Sequence, residues 1–189
     1  MFQVRIHGRG GQGVVTAAEM LSVAAFLEGK HAQAFPSFGS ERTGAPVVAF
    51  CRISDEEIRL REPIQEPDAL IVQDPTLFKA LDVTEGLRSD GYLIVNTART
   101  LSEVHLDEIV ARLPRGHVLA APATEIALEH VKRPAPNTAL LGAFAAEVGV
   151  VSLDSVCEAI RRAFPGKVGE ANVEAARAAH AMIAGKAAA

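Results

Sequence analysis

Seven residues constrain this chain more than any others: His7-Gly-Arg-Gly-Gly-Gln-Gly13. They lie between an alternating, β-prone stretch, Gln3 to His7, and a long run of apolar and small residues, Val14 to Leu27, which Gly29 ends. Strand, glycine turn and helix in that order open an α/β unit, because the helix has to pack back on the sheet its strand enters. The segment contains G-x-G-x-x-G at Gly8, Gly10 and Gly13. Two readings of it stay open on the residues alone. Glycines let backbone N–H groups approach an anion, and the helix N-terminus adds a favourable dipole. Glycines also permit a tight strand-to-helix turn that packs closely with no ligand at all.

Dinucleotide binding of the Rossmann kind expects an acid at the end of the second strand to hold the ribose. The second candidate strand, His31 to Phe35, ends at Pro36 with no acid there. No G-x-x-x-x-G-K-[ST] occurs either, so the turn is not a P-loop. The remaining pattern continues the α/β theme. Val47 to Ile53 reads as a strand, Ser54 to Glu57 as a turn and Ile58 to Arg61 as a short return strand, a hairpin that makes the sheet mixed. Ala69 to Gln73, Tyr92 to Asn96 and Val118 to Ala121 are further strands. Short helices are expected from Pro75 to about Leu81, over Leu106 to Leu113 and over Thr124 to His130. Three more follow, at Thr138 to Val148, Leu153 to Phe164 and Glu170 to Ala184, with Ser152 and Asn172 near helix starts as caps. The fold class is therefore α/β: a three-layer α/β/α domain with a mostly parallel, mixed sheet. One domain over 1–189 is expected, with a helical C-terminal segment from about residue 136.

The 189 residues carry a net charge of −4 and 5% aromatics, which suits neither phosphate-backbone attraction nor base stacking, so no nucleic-acid partner is expected. No apolar run approaches the ~20 residues of a membrane span, and the start lacks a signal peptide's charged and apolar regions, so a cytoplasmic location is expected. The two cysteines, Cys51 and Cys157, form no C-x-x-C pair, and the six histidines show no metal-ligand spacing. No metal site and no catalytic residue are expected on this chain. Asp74-Pro75 reads as a turn and Asn137 as a helix cap; His7 has a positional hint only because it adjoins the glycines.

A second loop, Ser37-Phe-Gly-Ser-Glu-Arg-Thr-Gly-Ala-Pro46, sets Ser37, Ser40, Glu41 and Arg42 among glycines. Such charges can form a local ion pair or engage a partner's carboxylate or phosphate. The two loops together are distinctive. Gly8-Arg-Gly-Gly-Gln-Gly-Val-Val-Thr-Ala-Ala-Glu19, Ala32-Gln-Ala-Phe-Pro-Ser-Phe-Gly-Ser-Glu-Arg-Thr-Gly-Ala-Pro46 and Phe50-Cys-Arg-Ile-Ser54 resemble the gamma-subunit domain of pyruvate and related 2-oxoacid:ferredoxin oxidoreductases. Pro136-Asn-Thr-Ala-Leu-Leu-Gly142 and Ala171-Asn172 fit the same family, so the resemblance spans nearly the whole chain. Thr43 departs from it, standing where many members carry a second basic or other residue.

The resemblance implies a thiamine-diphosphate enzyme that decarboxylates a 2-oxoacid, passes the acyl group to coenzyme A and sends electrons through [4Fe–4S] clusters. It implies alpha, beta and delta-type partner subunits, with thiamine diphosphate, Mg2+ and the clusters held by them, and ferredoxin or a flavin subunit as acceptor. It implies no cofactor held by this chain alone. Gly8, Gly10, Gly11, Gln12 and Gly13 on one side, and Ser37, Ser40, Glu41 and Arg42 on the other, would border an intersubunit cleft. Whether they receive coenzyme A phosphates or a partner chain stays open, and a stand-alone nucleotide-binding regulatory module is the alternative function.

Overall fold

The computed structural model describes residues 1–37 and 43–187. β1 (Phe2–Arg9) takes Gly8 and Arg9 into the strand before the chain turns into α1 (Val14–Leu27). β2 (His31–Pro36) and β3 (Pro46–Ser54) then pair antiparallel. β4 (Ala69–Val72), β5 (Tyr92–Asn96) and β6 (Val118–Ala121) complete a six-stranded sheet in the order β2-β3-β1-β4-β5-β6. β1, β4, β5 and β6 are parallel neighbours, and β3 runs antiparallel to both β1 and β2. The expected mixed α/β sheet is therefore present.

The hairpin that makes it mixed is not the one the sequence suggests. Ile58 to Arg61 forms no strand. β3 has β1 on one edge and β2 on the other, so no edge is left for a return strand. The antiparallel partner comes from the segment before the second loop instead.

Alternation along the strands divides the core in two. Val4, Ile6, Cys51, Ile71 and Ile94 face α1, α3 (Ala123–His130), α4 (Asn137–Val148), α5 (Leu153–Ala163) and α6 (Lys167–Ala187). Leu70, Val72, Leu93 and Val95 face the other way, onto Leu77 of a 3₁₀ turn (Pro75–Lys79) and the ends of α2 (Asp107–Arg112). Helices thus cover both faces, but the second layer is thin and confined to β4–β6.

Over β1 and β3 that face is covered by irregular chain, which two arginines hold in place. Arg5 Nη2 donates to the carbonyl of Val83 at 3.1 Å and also to that of Glu85. Arg52, only 1% exposed, donates through Nη2 to the Glu62 carbonyl at 2.7 Å and through Nε to Gln3 Oε1 at 3.1 Å. Buried backbone carbonyls need donors, and a guanidinium supplies several in one fork.

α4 and α6 approach very closely: a Cβ built on Gly142 would lie 2.0 Å from the Ala176 carbonyl oxygen. Ser152 caps α5 as expected, accepting from the Ser155 N–H at 3.2 Å. Asn172 does not cap α6, which begins at Lys167. It lies in the second turn, 4% exposed, and accepts from Thr138 Oγ at 3.0 Å while its amide donates to the Val168 carbonyl at 2.8 Å.

β2 is an edge strand. The Ser37 N–H donates to the Val48 carbonyl at 2.8 Å. Antiparallel alternation then turns the peptide groups of Ala32, Ala34 and Pro36 outward. Among the described residues no helix is long and apolar enough to cross a membrane.

Candidate functional site

The chain leaves β1 toward α1 on one face of the sheet and leaves β4 toward the 3₁₀ turn on the other. Such a reversal opens a crevice at the carboxyl ends of the strands. Beside it, between the β1–α1 turn and the start of β3, lies a cleft of about 480 Å³ lined by Arg9, Gly11, Gly13, Val15, Thr16 and Thr43 among others.

The glycines have separate tasks. Gly8 sits in the ladder with β3, and a Cβ there would lie 2.6 Å from Val14 Cγ2. Gly10 donates to the Ala45 carbonyl at 2.9 Å and accepts from the Gly44 N–H at 3.1 Å, which ties the end of the second loop to the first. The Gln12 N–H donates to the Arg9 carbonyl at 3.0 Å, and the Gln12 side chain accepts from the Arg9 N–H at 2.7 Å. The N–H groups of Gly10 and Gln12 are therefore spent inside the protein. Among the described residues those of Gly11 and Gly13 meet no acceptor. Those of Val14, Val15 and Thr16, the first turn of α1, have no intrahelical partner. The open donors thus sit slightly further along the chain than the glycine pattern alone implies.

Arg9 and Asp74 support this wall. Arg9 Nε lies 2.9 Å from Asp74 Oδ2, while its Nη atoms donate to the Gly44 carbonyl at 3.0 Å and to Thr76 Oγ at 2.9 Å. Asp74 also caps the 3₁₀ turn by accepting from the Thr76 N–H at 2.9 Å. Burial alone would push its carboxyl up. The Thr76 bonds and the Arg9 charge outweigh that and hold it below the usual carboxylate range. The expected turn role of Asp74 is present, joined by an ion pair to the glycine segment.

Gly13 carries the sharpest constraint. It begins α1 in the left-handed region at φ 72°, with no side-chain cap. A Cβ there would lie 2.5 Å from Asn137 Nδ2. Asn137, 4% exposed at the start of α4, donates from Nδ2 to the Gly13 carbonyl at 3.4 Å and accepts at Oδ1 from the Thr138 N–H at 3.0 Å. The expected cap role is not the one it fills. Pro136 stands at the cap position of α4 without a side-chain bond. Asn137, the first helical residue, bonds its neighbour's N–H and tethers α1 instead. Nothing in the sequence spacing signals contact between residues so far apart. Gly13→Ala is expected to destabilise the fold by about 2 kcal/mol, from the left-handed φ and the crowding together, measurable by urea unfolding.

Of the second loop's candidates, Ser37 is exposed and borders a separate hollow of about 310 Å³ on the opposite face, beside His7, Phe50 and Glu85. Ser40, Glu41 and Arg42 lie outside the described residues. His7, 7% exposed, accepts at Nε2 from Arg5 Nε at 3.0 Å. Burial, then the Arg5 charge, push its pKa down to about 4. It is therefore neutral, with its proton on Nδ1.

The described donors do not fit a resident cluster or cation. Cys51 and Cys157 are both buried, on β3 and α5, and burial pushes the Cys51 thiol up, away from the thiolate a metal needs. Among the described residues no three His, Cys, Asp or Glu side chains gather as a metal set.

Residues 3–182 match the family described as pyruvate ferredoxin/flavodoxin oxidoreductase. The chain is 51% identical over 180 residues to the pyruvate/ketoisovalerate oxidoreductases common subunit gamma of Pyrococcus furiosus, covering 95% of this chain and 96% of that one. It is 49% identical over 180 residues to pyruvate synthase subunit PorC of Methanothermobacter marburgensis, with 95% and 96% covered. Among solved structures, the pyruvate oxidoreductase subunit PORC of Thermotoga maritima superposes with a TM-score of 0.78 at 39% identity, with 95% of each chain covered.

Proposed function

Because the chain belongs to the pyruvate ferredoxin/flavodoxin oxidoreductase family, we propose that it works as the gamma subunit of a multi-subunit 2-oxoacid oxidoreductase. The complex oxidatively decarboxylates pyruvate or a related 2-oxoacid, forms the coenzyme A thioester and sends electrons to ferredoxin or a similar acceptor. Thiamine diphosphate, Mg2+ and the [4Fe–4S] clusters belong to alpha, beta and delta-type partner chains in this reading. The donor set of the described residues suits that division. The relatives named above are oxidoreductase subunits, and none favours a stand-alone nucleotide-binding module.

Within the complex, this chain's cleft borders the intersubunit active site and receives the phosphates of coenzyme A. One observation supports this most: Gly11, Gly13 and the first turn of α1, whose N–H groups meet no acceptor among the described residues, all line one open cleft. Several such donors suit a phosphate better than a carbonyl, because an anion can accept from all of them at once. Ser40, Glu41 and Arg42 are proposed, from sequence, to complete the far side.

Thr43 is exposed at the cleft's rim, so a large side chain there fills the cleft without disturbing the core. In the reconstituted complex, Thr43→Phe is expected to raise the coenzyme A KM about tenfold while the 2-oxoacid KM and subunit assembly stay as in the parent. Loss of assembly with an unchanged coenzyme A KM would instead make the cleft a docking surface for a partner chain.

A further inference from the structure

The Gly13 carbonyl is gripped twice. It accepts from the Ala17 N–H at 2.9 Å as the first bond of α1, and from Asn137 Nδ2 at 3.4 Å. A trans peptide is planar, with its C=O and N–H pointing in opposite directions. Holding the Gly13 carbonyl toward α4 therefore aims the Val14 N–H the other way, out of the helix end and into the cleft that Gly13 and Val14 line.

Asn137 is itself held. Its Oδ1 is occupied by the Thr138 N–H; Thr138 Oγ donates to Asn172, and the Asn172 amide ends on the Val168 carbonyl. Asn137, Thr138 and Asn172 are all at least nine-tenths buried. An unbroken polar chain thus runs from α6 through α4 to the first peptide of α1, inside a helical layer that is otherwise apolar. Apolar packing would be cheaper than a buried polar chain unless the chain fixes a geometry. Gly13 has no side chain to cap α1, and Asn137 holds the Gly13 carbonyl from another helix while leaving the first N–H groups of α1 without a side-chain cap.

We propose that Asn137 is a positioning residue for the anion-facing end of the cleft: it orients the Gly13–Val14 peptide, with Thr138 and Asn172 setting its own position. The proposal rests on the reading of the cleft as the coenzyme A phosphate site.

The test is steady-state kinetics on the reconstituted complex. Asn137→Asp keeps the shape and the acceptor for the Thr138 N–H but has no hydrogen to give to Gly13. Asn137→Ala removes both bonds without adding charge. Both are expected to raise the coenzyme A KM about tenfold and to leave the 2-oxoacid KM within about twofold. Both variants are expected to lose some stability, Asn137→Asp because it sets a buried carboxylate oxygen against the Gly13 carbonyl. Each is therefore assayed well below its own melting temperature, and the unchanged 2-oxoacid KM separates the effect from misfolding. If Thr43→Phe raises the coenzyme A KM and neither Asn137 variant does, the tether has no role and this inference fails alone. If none of the three moves it, the phosphate-site reading fails with it. A rise with Asn137→Asp only would assign the effect to the new charge and overturn the tether.

Discussion

Gly142→Ala is expected to destabilise this chain by about 3 kcal/mol, lowering its melting temperature by roughly 6–12 °C. In an ordinary helix interior the same change stabilises by about 1 kcal/mol, because alanine has less backbone freedom to lose. Here the new methyl would sit 2.0 Å from the Ala176 carbonyl oxygen, a backbone atom in the middle of α6 that cannot rotate aside. Relief requires α4 and α6 to separate, and separation opens the buried packing around Phe144, Leu140, Ala176 and Ala179. Gly185, also in α6, is the internal control: a Cβ there meets nothing within 4 Å. Gly185→Ala is expected to be neutral or to stabilise by about 0.5 kcal/mol. Urea unfolding of both variants beside the parent checks the pair, and equal signs would show that α4 and α6 can part at this contact without cost.

The second large effect is a pH dependence that belongs to His7. Its pKa is pushed from 6.5 down to about 4 by burial and by Arg5. The unfolded chain therefore holds more protons than the folded one between those values. The stability His7 contributes is complete above pH 6.5 and is lost as the pH falls toward 4. The gap of about 2.5 units corresponds to about 3 kcal/mol, of which roughly 2 kcal/mol has gone by pH 5. Structurally, a protonated His7 has no lone pair for Arg5 Nε and sets two cations side by side. Asp82 and Glu85 are the only acids among the described residues lining that hollow. His7→Gln keeps an acceptor and cannot ionise. Unfolding free energies measured at pH 7 and pH 5 should differ by about 2 kcal/mol more in the parent than in His7→Gln. Identical pH profiles would mean that His7 is solvated and titrates normally.

Local pattern announced much of this architecture and stopped where long-range packing took over. The bounds of α1 were readable because Gly13 and Gly29 punctuate an unbroken run of mostly apolar and small residues between them. The Ile58 to Arg61 strand was misread because alternation marks a segment able to pair and says nothing about whether an edge is vacant. Asn172 looked like a cap because it is a short amide near a helix start; Pro165 and Gly166 had already stopped α5, so α6 starts earlier and the amide is carried inside. The glycine segment pointed to the right corner of the fold. The actual open donors, on Gly11, Gly13 and the turn after them, depend on which N–H groups the protein spends on itself. Arg9 and Asp74, like Gly13 and Asn137, meet only because the sheet brings together the ends of elements far apart in the chain.

The outward-facing peptides of β2 bear on how this chain behaves at high concentration. Ala32 and Ala34 present N–H groups to any strand drifting alongside, but the next outward position is Pro36, which has none. A foreign strand therefore finds a foothold two donors long and then a ring where the third should be. That is too short a template for runaway β-stacking, so the naked border of the sheet can meet solvent without seeding fibres.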